Sequence, residues 1–142
     1  MRVLGIDYGR TRVGLALSDE TGTIAQSLCY CDGGSDKKVV QAVLQTATER
    51  GAGKIVVGVP VKLNNAPSPQ TERTLQFVAA LQAATTLPVQ RWDERLTTVQ
   101  AQRVLIEGNV RRKDRREKID QLAAQIMLQS YLDATNPQPS EE

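Results

Sequence analysis

No histidine occurs anywhere in this 142-residue chain. That absence excludes a Ser-His-Asp triad, the histidine-based ribonuclease mechanism, the His-metal finger nucleases and any zinc site built on imidazole. Cysteine is nearly as scarce, with only Cys29 and Cys31. Two positions apart on a strand, they point the same way but make no zinc site alone, and they read as inert strand residues of a reducing compartment. Aromatics are limited to Trp92, Phe77 and three tyrosines, so the core must be built from Val, Leu, Ile and Ala. No apolar run reaches the length of a membrane-spanning helix. The opening Met1–Asp7 has neither the apolar segment nor the cleavage site of a signal peptide. A cytoplasmic protein with no membrane partner is expected.

What is present is ordinary for a globular protein: 40% hydrophobic and 24% charged residues. The length corresponds to one domain, here residues 1–136, with 137–142 as a short polar acidic tail that frays. The net charge of +2 is too small to argue for nucleic acid. Its distribution says more, because Arg111–Lys118 holds six cations against two anions.

Hydrophobic periodicity predicts strands at Val3–Tyr8, Arg12–Ser18 and Thr23–Tyr30, joined by turns short enough for antiparallel hairpins. Ser35 caps a helix running to Arg50 and ended by Gly51. Lys54–Val59 reads as a strand buried on both faces. Ser68-Pro69 opens a helix to Ala84. A last strand spans Leu87–Trp92. Thr97 with Gln100 begins a further helix stopped at Gly108-Asn109. A final helix over Arg115–Ala134 has Ile119, Leu122, Ala123, Ile126, Met127 and Tyr131 as its apolar stripe. Antiparallel strands followed by βαβ crossovers predict an α/β fold.

Three acidic positions stand out. Asp7 ends an apolar strand, where a carboxylate is costly to desolvate unless paired or bound to a cation. Gly5, two residues back on the same face, leaves room beside it. Asp93 and Glu94 follow the last strand, at the end where open α/β sheets bind ligands, and alternation lets at most one of them share the face of Asp7. Asp120 lies at the edge of the final helix's stripe, about 100° from Ile119. Each has an ordinary reading: a turn-opening Asp, a charged loop, an acidic residue near a helix start. Together they make a carboxylate cluster, which repels itself unless divalent cations hold it. Oxygen-only ligands suit Mg²⁺ or Mn²⁺, and a pair of such ions activates water and stabilises the leaving oxygen of a phosphodiester.

The motifs resemble those of the YqgF family, also called RuvX. Gly5-Ile6-Asp7-Tyr8-Gly9-Arg10-Thr11-Arg12-Val13-Gly14 through Asp19 resembles its opening, and Gly58-Val59-Pro60 its Gly-x-Pro loop. Asp93-Glu94-Arg95 resembles its Asp-Glu-Arg motif, and Ile119–Asp133 its C-terminal helix. The resemblance spans about residues 1–134. It implies a ribonuclease-H-like mixed five-stranded sheet, three antiparallel strands then two parallel ones, flanked by helices and related to RuvC resolvases. It also implies metal-dependent nuclease activity, usually assigned to maturation of the 5′ end of pre-16S ribosomal RNA. By the motif match Asp7 and Asp120 carry over as metal ligands with one or both of Asp93 and Glu94, of which Glu94 is favoured. One departure is the segment Val61–Pro67, which lacks the glycine of the family's turn.

Substrate contacts must be cationic, because phosphates dominate nucleic-acid affinity. Arg10 and Arg12 flank the Asp7 turn, Arg95 follows the second acidic site, and Arg111, Arg112 and Lys113 precede Asp120. Each is equally an ordinary solvated charge. Few aromatics are placed to stack bases, which favours reading of backbone and shape. The partner expected is nucleic acid, pre-ribosomal RNA or the small-subunit precursor, met by a monomer or homodimer. Rival readings are a DNA Holliday junction resolvase, a non-catalytic RNA-binding assembly factor, and an actin-like ATPase. The last needs two such domains to enclose a nucleotide.

Overall fold

The computed structural model describes residues 1–60, 68–94 and 112–135, the last stretch with side chains from Leu122 onward. Five strands form one sheet: β1 (Arg2–Tyr8), β2 (Arg12–Ser18), β3 (Ala25–Asp32), β4 (Ala52–Val59) and β5 (Val89–Asp93), in the order β3-β2-β1-β4-β5. β1–β2 and β2–β3 pair antiparallel, and β1–β4 and β4–β5 parallel. Helices α1 (Asp36–Arg50), α2 (Pro69–Ala84) and α3 (Arg112–Thr135) complete the described elements. The mixed sheet with antiparallel strands first is the predicted one.

Strand alternation sorts the sheet into two faces. Leu4, Ile6, Val13, Leu15, Ile55 and Val57 lie in one buried cluster with Val39 and Val43 of α1 and Phe77 and Leu81 of α2. Val3, Ala16 and Val56 lie in the other with Ala124, Met127, Leu128, Tyr131 and Leu132 of α3. Each fully buried aliphatic side chain contributes about 1.5–3 kcal/mol.

The capping signals act as predicted. Ser35 accepts from Lys38 N, and Gly51 closes α1 at φ 69°, a left-handed conformation that favours glycine. Ser68 and Thr71 form a capping box ahead of Pro69. The Thr71 hydroxyl also donates to the Pro60 carbonyl, and Gln70 Nε2 donates to the Tyr8 carbonyl at 3.1 Å. The start of α2 therefore braces the ends of β4 and β1.

Element boundaries shift for local reasons. β3 begins at Ala25 rather than Thr23, because the Asp19 carboxylate takes the Thr23 and Ile24 N–H groups at 2.8 and 3.1 Å into a turn. β4 starts at Ala52, directly after the helix cap. β5 starts at Val89 because Thr85 Oγ1 takes the Leu87 N–H and Pro88 has none to give. α3 is described from Arg112, ahead of the expected Arg115. Its buried stripe is also rotated from the expected one: Ala124, Met127, Leu128, Tyr131 and Leu132 are buried, while Leu122, Ala123 and Ile126 are half-buried. Gly5 sets that rotation, because Leu128 sits on its bare α-carbon. The helix expected from Thr97, the segment Val61–Pro67 and the tail 137–142 lie outside the described residues.

Candidate active site

β1, β4 and β5 run parallel, so their carboxyl ends share one edge of the sheet. Asp7 sits there on the α3 face. Its register partners are Gly14 on β2 and Gly58 on β4. The same row continues to Tyr30 on β3 and Trp92 on β5. Across five strands it reads Tyr30, Gly14, Asp7, Gly58, Trp92: a central carboxylate, a glycine on either side, and an aromatic at each end. Trp92 packs edge-on against Tyr131 of α3 at 5.5 Å, and the guanidinium of Arg12 lies 5.1 Å over the Tyr30 ring.

Glu94 follows β5 by one residue and folds back over Gly58. A Cβ at Gly58 would stand 2.9 Å from Glu94 Oε1 and 3.0 Å from Met127 Cγ. Glycine in a strand interior signals such a close approach. Burial first pushes the Glu94 carboxyl up, to about 8. Its hydrogen bond with Asp7, then the charges of Asp7 and Asp93, add to the shift. Asp93 neighbours Trp92 and, by alternation, points to the opposite face. Of the two adjacent acids, the structure brings Glu94 to Asp7.

Asp120 lies in α3, one turn before buried Ala124 and two before Met127 and Leu128. α3 runs from Tyr131, whose hydroxyl donates to Gln90 near the start of β5, to Met127 over Gly58 at the end of β4. Position 120 therefore continues toward the edge that carries Asp7.

On the opposite face, the Tyr8 hydroxyl donates to Asp36 of α1, and its ring stacks on Phe77 at 4.5 Å. Burial, helped by the Asp36 carboxylate, raises this phenol to about 12. These contacts fix the backbone next to Asp7, and sequence motifs gave no sign of them. Among the predicted cationic residues, Arg10 is exposed beside the site and Arg12 is taken up with Tyr30. Arg95 and Arg111 lie outside the described residues, and Arg112 and Lys113 are described as the first turn of α3 only. Cys29 and Cys31 are free thiols, half-buried against the α1 and α2 face, and burial raises both.

Two neighbouring carboxyls, with bare glycine floor beside them, offer oxygen donors of the kind a hard divalent cation takes. Asp7 and Glu94 supply two such donors, and no group of three or more candidate ligands gathers among the described residues.

Comparison with known proteins finds relatives along nearly the whole chain. The RuvX family model, described as "Holliday junction resolvase", matches residues 1–134. A protein of Thermoanaerobacter pseudethanolicus named "Putative pre-16S rRNA nuclease" is 45% identical over 94% of this chain and 97% of its own length. One of the same name from Listeria monocytogenes is 44% identical over 96% of this chain and all of its own. Among solved structures, T. thermophilus RuvC in complex with a Holliday junction substrate superposes with a TM-score of 0.58 at 17% identity, covering 92% of this chain and 94% of that one. That likeness concerns the fold. None of the described helices is long and apolar enough to cross a membrane. Matched in sequence along nearly its whole length, the chain belongs to the RuvX family and is a hydrolase of phosphodiester bonds.

Proposed function

We propose that the chain is a divalent-metal-dependent nuclease of the cytoplasm that matures the 5′ end of pre-16S ribosomal RNA, with Asp7, Glu94 and Asp120 holding Mg²⁺ or Mn²⁺. The observation that carries this reading is the Glu94 carboxyl folded over bare Gly58 into hydrogen-bonding reach of Asp7. A bound divalent cation supplies an activated water and charge stabilisation at the leaving oxygen. The chain's own residues do the rest. Asp7, held on the central strand between two glycines, fixes one side of the site. Glu94, once deprotonated, would offer such an ion a second carboxylate. Trp92 and Tyr131 close the site on the β5 side. Arg10, at the exposed turn after Asp7, meets the phosphate backbone. The names of the curated relatives support RNA as substrate.

The test is cleavage of labelled pre-16S 5′-leader RNA and of a synthetic four-way DNA junction, with Mn²⁺, with Mg²⁺ and with EDTA. Wild type runs beside Asp7→Asn, Glu94→Gln and Asp120→Asn. Metal-dependent RNA cleavage lost in all three variants is the expected result. Cleavage of the junction alone replaces the RNA assignment with a resolvase. Binding of RNA with no cleavage of either, on naked substrate and on whole pre-ribosomal particles, replaces it with an assembly factor.

A further inference from the structure

Beyond the carboxylates, the same edge of the sheet carries Arg10 of the opening motif and two lysines, Lys37 and Lys38, that no motif marked. The β1–β2 turn holds exposed Arg10, and its backbone packs on the turn that leads into α1. Gly33 N donates to Thr11 O at 2.8 Å, and a Cβ at Gly33 would meet the Arg10 carbonyl at 2.5 Å. Three residues on, α1 begins with Asp36, Lys37 and Lys38, and both lysines are exposed. Arg10, Lys37 and Lys38 therefore belong to one surface, ordered by the 33–35 turn and joined to the Asp7 strand through Gly9.

The charge balance of this surface is unusual. Arg10, Lys37 and Lys38 form no ion pair among the described residues, whereas Arg2 at the opposite edge reaches Glu20 at 3.6 Å. Two acids lie nearby. Asp36 is engaged by the Tyr8 hydroxyl, and Asp32 is exposed at the end of β3, in register with Arg12. Lysines in the first turn of a helix also oppose its dipole, by about 0.3–1 kcal/mol each. Three unpaired cations, two of them in a position helix stability disfavours, complement a polyanion.

We infer that Arg10, Lys37 and Lys38 form a second phosphate-contacting surface that guides the substrate strand from the Asp7–Glu94 centre across the sheet edge toward the start of α1. The occupant is the sugar–phosphate backbone of a nucleic-acid strand. This rests on the nuclease reading and adds a path on the α1 side, away from the basic run at the start of α3.

The test is binding without turnover. A short fluorescent RNA oligonucleotide is titrated with full-length protein in EDTA, by anisotropy, at several salt concentrations between about 50 and 200 mM. The Lys37→Ala/Lys38→Ala variant is compared with Arg50→Glu, which changes net charge equally at the far end of α1. The double variant is expected to bind about tenfold more weakly and to lose about 1.4 from the slope of log K against log salt, two single-strand phosphate contacts. Arg50→Glu is expected to stay near wild type. Equal affinity and slope in wild type and double variant overturn the inference, as does equal weakening by Arg50→Glu, which would report net charge alone. Failure of wild type to bind any RNA or DNA strand overturns the nuclease reading itself. Circular dichroism and melting curves confirm that each variant folds.

Discussion

The Glu94 carboxyl lies where a side chain on Gly58 would be, with Oε1 2.9 Å from the ideal Cβ position. Glycine at this strand position is what lets the acid after β5 reach the acid on β1. Gly58→Ala is therefore expected to push Glu94 away from Asp7 and crowd Met127. Overpacking of this kind destabilises by about 1–3 kcal/mol. Metal-dependent cleavage is expected to fall more than tenfold, beyond what the lost stability explains, because a displaced ligand acts directly on the barrier. Urea unfolding and cleavage rates on the same preparation separate the two effects.

The pH dependence of the metal-free protein has a definite sign. Glu94 is raised from 4.5 to about 8, so its folded form holds a proton that the unfolded chain has released. Its contribution to stability is full below the unfolded value and is lost as pH rises through the folded value. In EDTA the melting temperature is expected to decline between about pH 5 and pH 9, and Glu94→Gln to flatten that decline. A wild-type profile as flat as the variant's would mean that Glu94 is not raised in the folded protein.

The α3 face supports a double-mutant test. Leu128 Cβ lies 2.9 Å from where a Gly5 Cβ would be. Gly5→Ala alone is expected to destabilise by about 1–3 kcal/mol, and Leu128→Ala by about 2–5. The double variant is expected to be more stable than the sum, since the new methyl occupies space the leucine vacated. Strict additivity in urea unfolding would mean that α3 does not rest on Gly5.

Tyr8 supports the site from behind. Its phenol stays neutral at ordinary pH because burial and Asp36 raise it to about 12. Tyr8→Phe keeps the stack on Phe77 and removes the hydroxyl, for an expected loss of about 1 kcal/mol. Tyr8→Ala removes the ring as well and is expected to lose about 3–5 kcal/mol. Thermal melts of the two variants check the ordering.

Much of this was legible in the sequence. Alternation located β1 and β2, hydroxyl caps and Gly51 bounded α1 and α2, and an acid in an apolar strand marked Asp7. The motif match favoured Glu94 over Asp93, and the geometric reason needed the register that sets Gly58 beside both Asp7 and Trp92. The stripe of α3 was misread because Leu122 and Ile126 are as apolar as the residues that became buried. Only the close approach at Gly5 decides which side meets the sheet. The Tyr8–Asp36 contact spans 28 residues and has no periodic or motif signature.

Burial and Asp7 hold the Glu94 carboxyl protonated at neutral pH, and a divalent cation bound there is expected to displace that proton. Calorimetric titration of Mn²⁺ near pH 7, in two buffers of different ionisation enthalpy, measures it directly. The account predicts release of about one proton per site on binding, since Glu94 is largely protonated there, and loss of that release in Glu94→Gln. Mn²⁺ binding without proton release, or with equal affinity in Asp7→Asn, would contradict it.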